Sequence, residues 1–344
     1  NRLASGSPAL MPLGARRTFR FGSVVAISLL LAYAFGAPMP FFTPLFAIIL
    51  TSIPGPPIPV KGAIALLLLA SISLGFGIAL IPLLQNYPAA AVMLIAVGLF
   101  VGTYLAVAKG KVLPSTFLTM GLAIVPAAGL ANETLASTVI SAILVGIILT
   151  VISQWLVYPL FPEDPAEVKP KPPPAIAPEQ AQWQALRATL IVMPAVMLAF
   201  TNPAFYIPAI MKSVLMGQQS TETNARAFGR ELLESTFLAG LFSILFWFAL
   251  KMWPNLWMYF LWMLLLSIYI GSKLFGVSKT RFPPSFWINV LVTLLILVGP
   301  ALEDIASGKD VYKAFAMRFS LFVVITLYAW LAILALEWFR KRLT

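Results

Sequence analysis

The sequence predicts an all-α integral membrane protein of about twelve transmembrane helices, arranged as two parallel six-helix repeats. Three observations carry that prediction. Of the 344 residues, 60% are hydrophobic and 10% charged, with a mean hydropathy of +0.93; a soluble chain of this length needs far more polar surface. The apolar residues fall into separate runs, most of them near the ~20 residues that cross a bilayer as a helix. Short motifs of the first half recur, in order, in the second.

The first six runs cover residues 19–35, 40–54, 63–84, 88–107, 114–131 and 134–158. The second six cover 185–200, 203–218, 227–250, 254–273, 284–301 and 314–338. A helix is the expected form, because lipid offers no partner for an unpaired backbone group. The runs lack the alternation of a membrane β-barrel. The second run of each half is short and rich in proline, "MPFFTPLFAIILTSIPGPPIPV" and "TNPAFYIPAIMKSVLMG", which predicts kinked or broken helices. The chain starts at Asn1, inside a longer gene product on this reading, and its basic, apolar start reads as a first transmembrane helix rather than a signal peptide. "FPEDPAEVKPKPPPAIAPEQ", residues 161–180, predicts an extended, proline-rich cytoplasmic linker. It separates a first membrane repeat, 1–160, from a second, 181–344.

Pro44 in "FFTPLFAII" matches Pro208 in "FYIPAIMKS", and Gly102 in "VGTY" matches Gly271 in "IGSK". "LPSTF" at 113–117 matches "PPSFW" at 283–287, and "VP" at 125–126 matches "GP" at 299–300. With an even number of crossings per repeat, both repeats face the same way, about a pseudo-twofold axis along the membrane normal. The net charge of +11 sits in short clusters between apolar runs, so membrane topology explains it and nucleic acid does not. Placing the N-terminus, the loops after even-numbered runs and the C-terminus on one face gathers there all of the 23 Lys and Arg residues except Lys212, Lys251, Lys309, Lys313 and Arg318. The positive-inside rule makes that face cytoplasmic, both termini included.

The chain has no cysteine and no histidine, which removes disulfides, thiolate chemistry and imidazole metal sites or proton relays. No P-loop, HExxH or GxSxG motif is present. The sequence therefore predicts no enzyme activity, no cofactor and no metal. Lys212 is the foremost candidate site residue, a cation inside an apolar run; it either faces a path for anions or snorkels to the interface. Arg226, Arg230 and Glu234 fall at i, i+4 and i+8, on one helix face, with Glu231 beside them. They read as a charged helix end with local ion pairs or as a gate, and Glu234, placed deepest, and Glu231 are the proton-coupling candidates. Thr103 and Ser272, next to the matched glycines, line a central path or merely sit at close helix packing. Asn289 bonds across helices or touches substrate. Glu337, next to Trp338, reads as interfacial anchoring, and Trp247, Trp253, Trp257 and Trp262 as an aromatic belt or vestibule.

The stretch "RRTFRFGSVVAISLLLAYAFGAPMPFFTPLFAIIL", the later "VGTYLAVAKGKVLPSTFLTMGL" and their echoes at 187–217 and 270–300 resemble the fusaric-acid-resistance and aromatic-acid-exporter family of bacterial inner-membrane proteins. The resemblance is to a compact branch: residues 161–180 stand where larger members carry a cytoplasmic domain. It implies proton-coupled export of organic, chiefly aromatic, acids from the inner membrane, with a periplasmic membrane-fusion adaptor and an outer-membrane channel as partners. It also implies a basic contact in the pore, an idea Lys212 fits, and allows a homo-oligomer. A passive organic-anion channel and a membrane scaffold without transport are the alternatives that the residues leave open.

Overall fold

The computed structural model describes residues 11–163, 177–219 and 225–343. Those residues form twelve helices. Ten are long and apolar enough to cross a membrane: α1 (Leu13–Ala34), α3 (Val60–Asn86), α4 (Pro88–Lys109), α5 (Val112–Ala131), α6 (Glu133–Val157), α7 (Pro178–Thr201), α9 (Ala225–Met252), α10 (Leu256–Leu274), α11 (Pro284–Ala306) and α12 (Val311–Leu343). The other two, α2 (Phe42–Thr51) and α8 (Pro203–Gln219), are shorter. The protein is a multi-pass, all-α membrane protein, and each apolar run meets one helix. Most of the proline-rich linker, residues 164–176, lies outside the described residues, and its last residues already belong to α7.

Local chemistry sets the helix ends. The side chain of Asn132 accepts a hydrogen bond from the Leu135 amide at 2.6 Å, and that of Asn255 from the Met258 amide at 2.7 Å. These caps start α6 and α10 by satisfying an otherwise orphaned donor. Pro88, Pro178 and Pro284 open α4, α7 and α11, where a missing N–H costs nothing. Gly110 closes α4 at φ +66°, in the left-handed region.

The ten residues of α2 rise only ~15 Å, about half of the hydrocarbon core. The chain then runs on without helix through residues 53–59. Pro54, Pro56, Pro57 and Pro59 bring no N–H to that stretch. The amide of Ile58 donates to Gln154 Oε1 at 3.2 Å, and its carbonyl accepts from Trp155 Nε1 at 2.7 Å. Thr150 Oγ1 donates to the Thr43 carbonyl at 3.0 Å. Gln154 Nε2 also donates to the Leu50 carbonyl at 3.4 Å, so α6 satisfies backbone groups at and beyond the end of the short helix.

Burial ranks the helices. The apolar windows of α5 and α11 are 78% and 83% buried, against 28% for α4, α10 and α12. α5 and α11 are the central long helices, and α4, α10 and α12 turn broad apolar faces outward. α3 packs on α5 and α9 on α11, while α1 packs on α10, α4 on α7, α5 on α8 and α2 on α11.

Arginines tie helix starts to helix ends. Arg17 Nε donates to Glu163 Oε1 at 2.7 Å, its Nη2 bonds the same oxygen, and Arg20 Nη2 bonds Oε2. Arg20 also lies 4.5 Å from the Tyr158 ring centre, and Arg16 Nη1 donates to the Pro162 carbonyl at 2.9 Å. The start of α1 and the end of α6 therefore share one face of the bundle. Burial alone would push the Glu163 carboxyl up; hydrogen bonds and charge from Arg17 and Arg20 outweigh it and hold the carboxyl below its usual range. Arg187 of α7 similarly faces Glu337 at the end of α12, at 3.9 Å.

Candidate functional site

Among the described residues, α8 positions the one lysine that is fully buried. Pro208 removes an N–H from this helix, leaving the carbonyl four residues earlier without its helical partner. Lys212 follows one turn later. Its side chain is 0% exposed, so it does not snorkel. The ammonium donates to Asn289 Oδ1 at 2.8 Å and to Thr293 Oγ1 at 2.6 Å, both on α11. An ammonium has three N–H donors, so two are used.

The contacts continue as a ladder between α9 and α11. Asn289 Nδ2 donates to Ser235 Oγ at 2.5 Å, and Ser235 Oγ donates in turn to the Leu232 carbonyl at 3.0 Å. One turn nearer the starts of both helices, Ser285 Oγ donates to Glu231 Oε1 at 2.6 Å. Ser285, Asn289 and Thr293 are spaced four apart and share a face of α11; Glu231 and Ser235 match them on α9. Glu231 is half-buried, whereas Ser235, Asn289, Thr293 and Lys212 are buried. The ladder leads from a carboxylate near the helix starts to an ammonium in the interior. Ser213 Oγ, beside Lys212 in sequence, is buried with no hydrogen-bond partner among the described residues.

The electrostatics of Lys212 are unbalanced. Among the described residues no carboxylate lies within ion-pair distance of its amine, and both partners are neutral oxygens. Removing an ammonium from water costs several kcal/mol, which neutral hydrogen bonds only partly offset. A negatively charged group brought to the amine would supply the missing term.

The other predicted residues lie elsewhere. Arg230 Nε donates to Glu234 Oε1 at 2.6 Å, with 79% of the arginine side chain exposed. Arg230 is exposed and holds the half-buried Glu234 carboxylate, and no ion pair joins Glu234 to Lys212 among the described residues. Glu231, three residues earlier and ~60° away around the helix, meets Ser285 of α11 instead. The side chain of Arg226 is outside the described residues. Thr103 lines a cavity of about 10 Å³ with Thr119, Thr189 and Val214, where α4, α5, α7 and α8 meet; that volume holds about one water. Ser272 donates to the Tyr269 carbonyl of its own helix at 2.7 Å and does not join Thr103. Both hydrogen-bond partners of Lys212 lie on α11, while α8 itself also packs on α5.

Sequence reading missed Ser235, Ser285 and Thr293. The four-residue spacing around Asn289 was their signal. It also read Glu337 as anchoring, although that carboxylate faces buried Arg187. Among the described residues no group of three or more acidic side chains could hold a metal ion.

Neither the curated proteins nor the solved structures contain a match to this chain. Residues 17–157, which run from the first turns of α1 to the last residue of α6, match a protein family described as "Protein of unknown function (DUF2955)".

Proposed function

We propose that the protein exports organic acids, chiefly aromatic ones, across the bacterial inner membrane at the expense of the proton gradient. Lys212 is the contact for the substrate's negative charge, and Glu231 is the proton carrier at the entrance of the ladder. The single observation behind this reading is an ammonium that is fully buried, uses two of its three donors and meets no carboxylate among the described residues. Ionisable groups inside a membrane bundle are expensive and commonly mark a solute path. The resemblance to aromatic-acid exporters supplies the substrate class, the periplasmic adaptor and the outer-membrane channel.

The same reading includes a duplicated six-helix architecture. Moving each helix label by six converts α3–α5 packing into α9–α11, α1–α10 into α7–α4, and α5–α8 into α11–α2, and all of these pairs are in contact. Burial repeats as well, with α1 and α7 at 56% and α4 and α10 at 28%. The family match ends with α6, where the first repeat would end. The concentration of Lys and Arg on one face supports cytoplasmic termini and a cytoplasmic entrance to the ladder.

Uptake of benzoate into inverted membrane vesicles, with and without an imposed pH gradient, tests the proposal. Gradient-dependent accumulation is expected, with Glu231→Gln abolishing the dependence. Flux that ignores the gradient and arrives in single-channel steps would make the protein a passive channel. No flux of any organic acid would leave a scaffold.

A further inference from the structure

We propose that Arg187 forms a second anion site, one that binds a carboxylate or phosphate oxyanion between α7 and α12. Its side chain is 4% exposed. Nη1 points to Glu337 Oε1 at 3.9 Å, longer than a hydrogen bond. Nε and Nη2 are buried with no hydrogen-bond partner among the described residues. These two nitrogens form one edge of the guanidinium, with parallel N–H bonds spaced to grip two oxygens of one anion. Leaving such donors buried and unsatisfied is costly.

Arg17 of α1 provides a reference. It presents the same edge, Nε and Nη2, to Glu163 Oε1. Glu163 fills that fork in the first half of the chain. Glu337 does not fill the fork of Arg187: it stands off the other end of the guanidinium and keeps 27% of its side chain exposed. The surroundings favour an anion. Arg340 of α12 lies 5.4 Å from the ring centre of Trp183, so a second guanidinium stands at the same helix ends. An arriving oxyanion takes the Nε–Nη2 edge, and Glu337 is the carboxylate it competes with. This site is on a different helix pair from the Lys212 ladder, and its test reads binding, not flux, so it can fail while the transport reading stands.

The oxyanion has two candidate sources, a soluble organic acid and the phosphate of an anionic lipid. The full chain is reconstituted in phosphatidylcholine nanodiscs and titrated with sodium benzoate. The readout is Trp183 emission, taken as the difference from Trp183→Phe. A saturable shift is expected. Arg187→Met removes it, and Arg187→Lys, which lacks the fork, weakens it about tenfold, the worth of one lost charge-assisted hydrogen bond. Glu337→Gln tightens it by removing the competing carboxylate. Repeating the titration with phosphatidylglycerol in the nanodisc separates the sources. Competitive loss of the benzoate shift assigns the site to lipid phosphate, and an unchanged shift assigns it to the soluble acid. A shift that persists in Arg187→Met, or that weakens in Glu337→Gln, overturns the proposal. If Arg187→Met does not fold, the Glu337→Gln result alone decides.

Discussion

The α3–α5 and α9–α11 seams are both tight pairings around a central helix, yet they are closed by opposite means. In the first, glycines bring the backbones together. A Cβ on Gly77 would sit 2.2 Å from the Gly121 carbonyl oxygen, and a Cβ on Gly121 would sit 2.2 Å from the Ser73 carbonyl oxygen. Small residues are how helices approach closely in lipid, where no hydrophobic force drives them together. In the second seam the contact is chemical, Glu231 to Ser285 and Ser235 to Asn289, with Lys212 joining from α8. The first seam excludes everything, whereas the second is a row of donors and acceptors with one charge at its inner end. By the sequence matches, Lys212 stands opposite Ile48 and Asn289 opposite Thr119. Polar contacts can also hold membrane helices together; the unbalanced ammonium is what sets the second seam apart and carries the proposed function.

The comparison breaks most sharply at Gly121. Replacing it with leucine drives a side chain into the α3 backbone, at a cost of about 3 kcal/mol or more. Little folded protein should be recovered on size exclusion, whereas Ser235→Ala in the other seam should be recovered normally. Recovery of folded Gly121→Leu would mean that the first seam is not closed by backbone approach.

Asn289→Leu should be the next largest effect. It leaves the Lys212 ammonium with Thr293 alone, and the loss of a hydrogen bond to a buried charge costs about 1.5–3 kcal/mol. Thermal unfolding should show the drop, and adding Lys212→Met should restore most of it, because the charge that needed the amide is gone. Additive losses in the double variant would show that the two residues do not depend on each other.

Acid should loosen the first half modestly. Glu163 has its carboxyl held below the usual range by Arg17 and Arg20. Its contribution to stability is therefore present above the ordinary carboxylate pKa and is lost as pH falls through the lowered value. Wild type should lose thermal stability in that window, while Glu163→Gln should start lower, by about 1–2 kcal/mol, and vary less there. A variant that tracks the wild-type pH curve would remove Glu163 from the account. The smallest effect belongs to Ser272→Ala. That hydroxyl bonds only its own helix, so stability should change by no more than about 0.5 kcal/mol and flux not at all. A large loss of flux would return Ser272 to the site.

Much of the fold was legible because span length and hydropathy are local properties. Each apolar run meets a helix, and the prolines before Ile58 marked the place where α2 stops short. Lys212 was legible for the same reason, as a charge with too many apolar neighbours. Its partners were not, since Asn289 and Thr293 lie 77 and 81 residues away and only helix packing joins them. For Glu234, depth along the helix did not reveal the partner: its carboxylate accepts from Arg230, one turn back on its own helix, whereas Glu231 meets Ser285 of α11. The Arg187–Glu337 approach, across nearly the whole second half, was likewise beyond reach of spacing.

Flux through Lys212→Met is the most direct test of the claim that the buried ammonium meets a travelling anion. Replacing an unpaired buried charge by an apolar side chain of similar length should leave the thermal midpoint unchanged or higher. Gradient-driven benzoate uptake into inverted vesicles should fall by about a hundredfold or more, the worth of about 2.7 kcal/mol of lost contact. A stable Lys212→Met protein that takes up benzoate at the wild-type rate would contradict the account.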